Sequence, residues 1–182
     1  MPSPVVNFAL RGAQALFSIV VIALSVTLIK GQVYKKDQPA TFGFSVFVGA
    51  ISLLGALLGI AAHWLDVLQS IIGVAIDVLI LIINLAGGVL IAVKLKGIDC
   101  MSEDVLERLK MKNNSLLNGG CYEEKNQVYC RNTVILRGEV LNSRCKENQA
   151  NSAFMFLTLI VLLAAATVTF LNMKHTVKLG RR

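Results

Sequence analysis

Charge is scarce in this chain, and the scarcity excludes most of what a protein of its size could be. Only 16% of its 182 residues are Asp, Glu, Lys or Arg, against roughly 25% in an ordinary soluble domain. Chemistry-bearing patterns are equally thin. There is no HExxH, no P-loop, no Ser-His-Asp arrangement and no cluster of carboxylates, so hydrolysis and nucleotide-driven catalysis lack their usual groups. The two histidines, His63 and His175, stand apart at the ends of apolar runs. The chain is therefore expected to be no enzyme and to need no metal or cofactor. A formal charge of +7 would suit a nucleic-acid binder, but the bases are dispersed, with no basic helix and no interleaved aromatics. That class is set aside. Neither Gly at position 2 nor a C-terminal Cys box occurs, so no lipid anchor is expected.

What the chain has is apolar length. Four runs, Gly12–Ile29, Thr41–Ala62, Val67–Val93 and Ala153–Met173, are almost free of charge. Crossing a bilayer core takes about 20 apolar residues of helix, and backbone groups in lipid must be satisfied within the segment. The expected fold is all-α: a four-helix transmembrane bundle forming a single unit over residues 1–182. The first run is longer than the h-region of a cleaved signal peptide and is expected to remain as a span. His63, Trp64, Leu65 and Asp66 alone join the second and third runs, which predicts an antiparallel hairpin.

All the cysteines, Cys100, Cys121, Cys130 and Cys145, fall in the long polar segment 94–152 between the third and fourth spans. There is no CxxC and no histidine in that segment, so zinc is disfavoured. A disulfide framework in an oxidising compartment is expected, which makes the segment an extracellular loop. Four cysteines allow three pairings, and spacing does not choose among them. With four spans both termini share one side. Arg11, Lys174, Lys178, Arg181 and Arg182 favour the cytoplasm, although Lys30, Lys35 and Lys36 in the first loop argue the other way.

Within the loop, Ser102 precedes Glu103 and Asp104, and Val105, Leu106 and Leu109 share a face before Lys110 and Lys112. This predicts a short capped helix. Asn118, Gly119 and Gly120 predict a turn, and Val128–Leu136 a strand. Asn113, followed by Asn114 and Ser115, is an N-glycosylation acceptor.

The spans carry stripes. Asn7, Arg11, Gln14, Ser18 and Ser25 stack along one side of the first helix, which should face other helices. Gly55 and Gly59 form a GxxxG step in the second span, preceded by Ser45 and Gly49. Small residues of this kind let backbones approach closely, and packing inside the bundle is favoured over homodimerisation. In the third span Gly73, Asp77, Asn84, Gly88 and Ala92 share a face. An intramembrane aspartate is costly unless neutral or paired. Asp77 is expected to be a protonated structural clamp, with Ser18 as a neighbour and Arg11 reaching it only by bending inward. Thr158, Ala165, Thr169 and Asn172 mark the packing side of the fourth span.

The run Leu10-Arg11-Gly12-Ala13-Gln14-Ala15-Leu16-Phe17, continuing to Leu24-Ser25, resembles the first helix of fungal MARVEL-domain proteins. The third span, from Asp77 through Gly88 and Ala92-Val93 to Cys100, resembles the members linked to non-classical export and eisosomes. The resemblance covers all four spans and implies a four-helix bundle with cytoplasmic termini, in a family that organises membrane microdomains or vesicle traffic rather than catalysing reactions. The cysteine-rich loop departs from that pattern, leaving room for an outward recognition role. A claudin would carry its large loop first, and a tetraspanin would show Cys-Cys-Gly.

The leading expectation is a non-catalytic organiser in the plasma membrane, contacting lipids and other membrane proteins, with homo-oligomerisation open. The alternative is a small transporter or channel subunit using a polar seam around Asp77 and Asn84.

Overall fold

The computed structural model describes residues 4–33, 39–61, 71–125, 127–132 and 134–179. The link at 62–70 that joins the second and third spans lies outside the described residues, as do Lys35, Lys36, Arg181 and Arg182.

Four long helices are each apolar enough to cross a membrane: α1 (Pro4–Lys30), α2 (Ala40–Ala61), α3 (Ile71–Lys94) and, after an intervening head, α5 (Val134–Leu179). Proline suits the first turn of α1, because its fixed φ is already helical and its missing N–H would have had no partner there. Lys30 closes the same helix where its charge meets the negative end of the helix dipole. The helices pack as a ring: α1 against α2 and α5, and α3 against α2 and α5. The lipid-facing sides keep their large side chains outward, among them Leu16, Leu54, Leu79, Val93 and Ile160.

The head contains α4 (Val105–Asn113) and a hairpin of β1 (Cys121–Glu124) and β2 (Gln127–Cys130). The strands are antiparallel, with Cys121 opposite Cys130 and Tyr122 opposite Tyr129. Gly119 and Gly120 lead into the hairpin at φ of 74° and 88°, the left-handed region that glycine enters without steric penalty. The Val33 N–H donates to the Gly119 carbonyl at 3.0 Å, so the end of the first span is laced to the head. One buried cluster runs from Val21 and Leu28 through Ile91, Leu95 and Met155 to Met111, Leu116, Leu117 and Leu141. The head and the bundle therefore share a core.

Four expectations need correction. The first span, expected over Gly12–Ile29, is part of a longer helix that begins at Pro4. The range 94–152 is not all loop, since α5 is 46 residues long and begins at Val134. At a rise of about 1.5 Å per residue it is roughly 70 Å long, far more than a bilayer needs. Its first turns, from Val134 to the disulfide-bonded Cys145, belong to the head. The strand expected over Val128–Leu136 stops at Cys130, and the β-branched Val134 and Ile135 are helical. Finally, Asp104 rather than Ser102 caps α4, accepting from the Leu106 N–H, while the Ser102 hydroxyl accepts from the Asp104 N–H.

Candidate functional site

The polar residues of α1 lie on the side that faces the ring interior, and Arg11, Gln14, Ser18 and Ser25 are all buried there. Arg11 does not point at the adjacent helices alone. Its guanidinium crosses the ring to α3 and grips Asp77 with both branches, Nη1 donating to Oδ1 at 2.7 Å and Nη2 donating to Oδ2. Nη1 also donates to Gln14 Oε1 at 2.9 Å. A two-pronged guanidinium–carboxylate contact is the strong form of ion pair, since two parallel charge-assisted bonds fix both planes.

This corrects the expectation of a neutral aspartate beside Ser18: Asp77 is the ion-pair partner of Arg11. Arginine stays charged under all ordinary conditions, and both carboxylate oxygens accept from it. Ser18 is not the partner; its hydroxyl donates to the Gln14 carbonyl at 2.7 Å. The crossing is possible because α2 presents glycine where Arg11 passes. A Cβ added at Gly59 would fall on the Arg11 guanidinium, and one at Gly55 on the Ile80 side chain. The GxxxG step thus faces inward.

From Arg11 the polar chain continues. Gln14 Nε2 donates to the Ser52 carbonyl at 2.9 Å, and Asn84 Nδ2 donates to Ser52 Oγ at 2.6 Å and to the Ile80 carbonyl. Gly88 meets α5: a Cβ there would lie 3.1 Å from the Phe156 ring, and its carbonyl accepts from Ser152 Oγ at 2.9 Å. The α3 stripe is less straight than expected. Gly73 is half-buried and Ala92 is exposed, while Ile80, Ile91 and Leu95 are buried. Steps of four residues drift about 40° per step around a helix of 3.6 residues per turn, so a line of fours leaves the interior. On α5, Thr158 and Ala165 are buried and Thr169 is half-buried; the Asn172 side chain lies outside the described set.

A second polar group sits at the head end. Arg144 Nη2 donates to the carbonyls of Leu28 at 3.2 Å and Leu116 at 3.4 Å, placing a cation at the C-terminal end of α1. Asn148 Nδ2 donates to the Arg144 carbonyl, and Asn151 Nδ2 to Ser25 Oγ at 3.0 Å. Asn148 Oδ1, Asn151 Oδ1, Gln32 Oε1 and the Nε of both Arg11 and Arg144 are buried without a protein partner. Arg144, Asn148, Asn151 and Ser52 escape the sequence reading. For the α5 residues the signal is present: Leu141, Cys145, Asn148, Ser152, Met155, Thr158, Leu162 and Ala165 recur at three- and four-residue steps without interruption.

Two disulfides close the head. Cys100 joins Cys145, tying the segment after α3 to α5, and Cys121 joins Cys130 across the hairpin. Asn113 is exposed at the last turn of α4, and the neighbouring Asn114 Nδ2 donates to the Lys94 carbonyl at 2.6 Å. Lys110 pairs with Glu107 one turn away and, by hydrogen bonding to it, holds that carboxyl below its usual range. Among the described residues no group of three or more His, Cys, Asp or Glu side chains is placed to hold a metal ion.

Four apolar helices in a ring, an interior ion pair and a disulfide-closed head define a multi-pass integral membrane protein. The family model of the MARVEL membrane-associating domain matches residues 4–168. The chain belongs to the MARVEL family. Comparison with curated proteins and comparison with solved structures each return no match.

Proposed function

We propose that the protein is a non-catalytic membrane organiser, one unit over residues 1–182, acting in plasma-membrane microdomain organisation or vesicle traffic by lateral association with lipids and partner membrane proteins. The observation that carries this is where the polar groups go. The one intramembrane carboxylate among the described residues is held by Arg11, and the glycine faces are spent on internal packing. What remains for function outside the head is the apolar, lipid-facing flank of the spans. In this reading both termini are cytoplasmic, the head lies outside, and the chain stands with the fungal export- and eisosome-associated members its α1 and α3 resemble. Asn113 is then open to glycosylation.

A tagged copy in living cells tests the proposal. Stable membrane patches that disperse on depletion of the protein's lipid or protein neighbours support it, and uniform diffusion counts against it. An engineered C-terminal cysteine should resist labelling of intact cells; efficient labelling overturns the orientation.

A second reading, a small transporter or channel subunit, draws support from the length of the buried polar seam, which runs from Arg11 and Asp77 through Ser52 and Asn84 to Ser25 and Asn151. Saturable, solute-specific flux through the purified chain in liposomes would promote it over the organiser.

A further inference from the structure

The short helix α4 is amphipathic in the wrong sense for a protein surface in water. Its buried anchor is Met111, whereas Val105, Leu106 and Leu109 are 61%, 67% and 43% exposed, and Met101 just before the helix is 75% exposed. At 100° per residue, Val105, Leu109 and Leu106 fall on one outward arc with Asn113 between the two leucines and Lys110 at its edge.

The position of α4 says what covers this arc. Ser152 of α5 touches Gly88 of α3 and Cys145 is bonded to Cys100, so the end of α3 at Lys94 stands beside the Cys145 turn of α5. Lys94 is the last residue of the apolar α3 span, and this level is therefore the edge of the hydrocarbon. Met101 follows Cys100 at that edge, and Asn114 is hydrogen-bonded to the Lys94 carbonyl itself. Leu109 lies five residues from Asn114, no more than about 8 Å along the helix, which is the depth of the headgroup zone on one side of a bilayer. Lys94, Lys96 and Lys112 are at the same end and can reach lipid phosphates.

We propose that α4, with Met101, is an interfacial helix that seats the head on the bilayer its own spans cross, the apolar arc dipping into the boundary between headgroups and acyl chains. This goes beyond the organiser reading, and with the head outside it requires Asn113 to carry little or no glycan. It gives the head a fixed lie on the membrane. A glycan on Asn113, in the middle of the arc, would hold the arc off the surface.

The test uses the full chain in phospholipid vesicles with Trp64, the sole tryptophan, replaced by phenylalanine. Single probes Met101→Trp, Leu109→Trp and Leu106→Trp are compared with Tyr129→Trp on the hairpin. Lipids brominated near the top of the acyl chain should quench the first two roughly twofold, the depth expected of an interfacial helix, with Leu106→Trp quenched less and Tyr129→Trp unaffected. Independently, a lipid carrying a photoreactive group near its headgroup should label the 101–109 segment of the unaltered protein. Unquenched probes together with lipid adducts confined to the spans would overturn the proposal, as would full occupancy of Asn113 by a glycan. Concentration-dependent crosslinking of the arc between chains, without quenching, would assign it instead to a second copy. None of these outcomes bears on whether the protein forms patches in cells, so the organiser reading stands or falls separately.

Discussion

Arg11 and Asp77, sixty-six residues apart, close the α1–α3 diagonal of the helix ring through a two-pronged ion pair. Ring neighbours touch through side chains of ordinary length, but the diagonal needs a long one and a gap to pass through. Arginine supplies the length and Gly59 the gap.

Removing either charge should therefore be more damaging than a lone, neutral aspartate would imply. Asp77→Asn keeps shape and one acceptor but strands the Arg11 cation, and breaking a buried pair from one side costs about 3–5 kcal/mol. Arg11→Leu should be similarly harmful. The double change Arg11→Leu with Asp77→Leu should recover much of the loss, because no unpaired charge is left. Thermal unfolding in mild detergent compares the unaltered protein with Arg11→Leu, Asp77→Leu and the double variant; a double variant as unstable as the sum of those two singles would show that the two residues do not act as a pair.

Gly59→Leu and Gly55→Leu should act inside the bundle before they act between molecules. Each side chain would enter space held by Arg11 or Ile80, and overpacking of this kind costs about 1–3 kcal/mol. Loss of stability in dilute detergent, where chains are apart, is the expected result. Unchanged stability with lost clustering in membranes would place the glycines at an intermolecular contact.

The two disulfides should differ in weight. Cys100–Cys145 closes a separation of 45 residues and Cys121–Cys130 one of 9. In the chain-entropy account these correspond to about 4 and about 3 kcal/mol. Paired serine replacement of the first should lower the melting temperature more, and it alone should loosen the seat of Arg144 between Leu28 and Leu116. Peptide mapping without reductant should return these pairings and no free thiol.

Much of this architecture is legible without coordinates, and the part that is not has a definite cause. The spans announce themselves by hydropathy, and the Arg11, Gln14, Ser18, Ser25 stripe by its three- and four-residue steps; the structure buries all four. The partner of Asp77 is not legible, because the α1–α3 diagonal depends on the order of helices around the ring and on a glycine in a third helix. Hydropathy also ends the fourth span at Ala153, because Arg144, Lys146 and Glu147 dilute it. Periodicity does not end there: Leu141, Cys145, Asn148 and Ser152 keep step with Met155 and Leu162. The two signals disagree wherever a helix leaves the membrane without stopping, and periodicity is then the one that reports backbone conformation.

That disagreement yields a decisive substitution. The Gln149 side chain is exposed, so Gln149→Pro acts chiefly on the backbone. If the segment before Ala153 were loop, proline would be tolerated. In a helix that runs unbroken from Val134 to Leu179, it deletes one backbone hydrogen bond, collides with the Cys145 carbonyl one turn back, and costs about 3 kcal/mol or more. Because Cys145 and Arg144 both sit on that turn, the kink should also pull Arg144 from the end of α1 and expose the Cys100–Cys145 bridge to reductant. Gln149→Ala, which preserves the helix, should leave melting temperature and reductant resistance as they are. Equal behaviour of the proline and alanine variants would mean that α5 is broken at the membrane surface, and that the head is hinged rather than rigidly carried by the bundle.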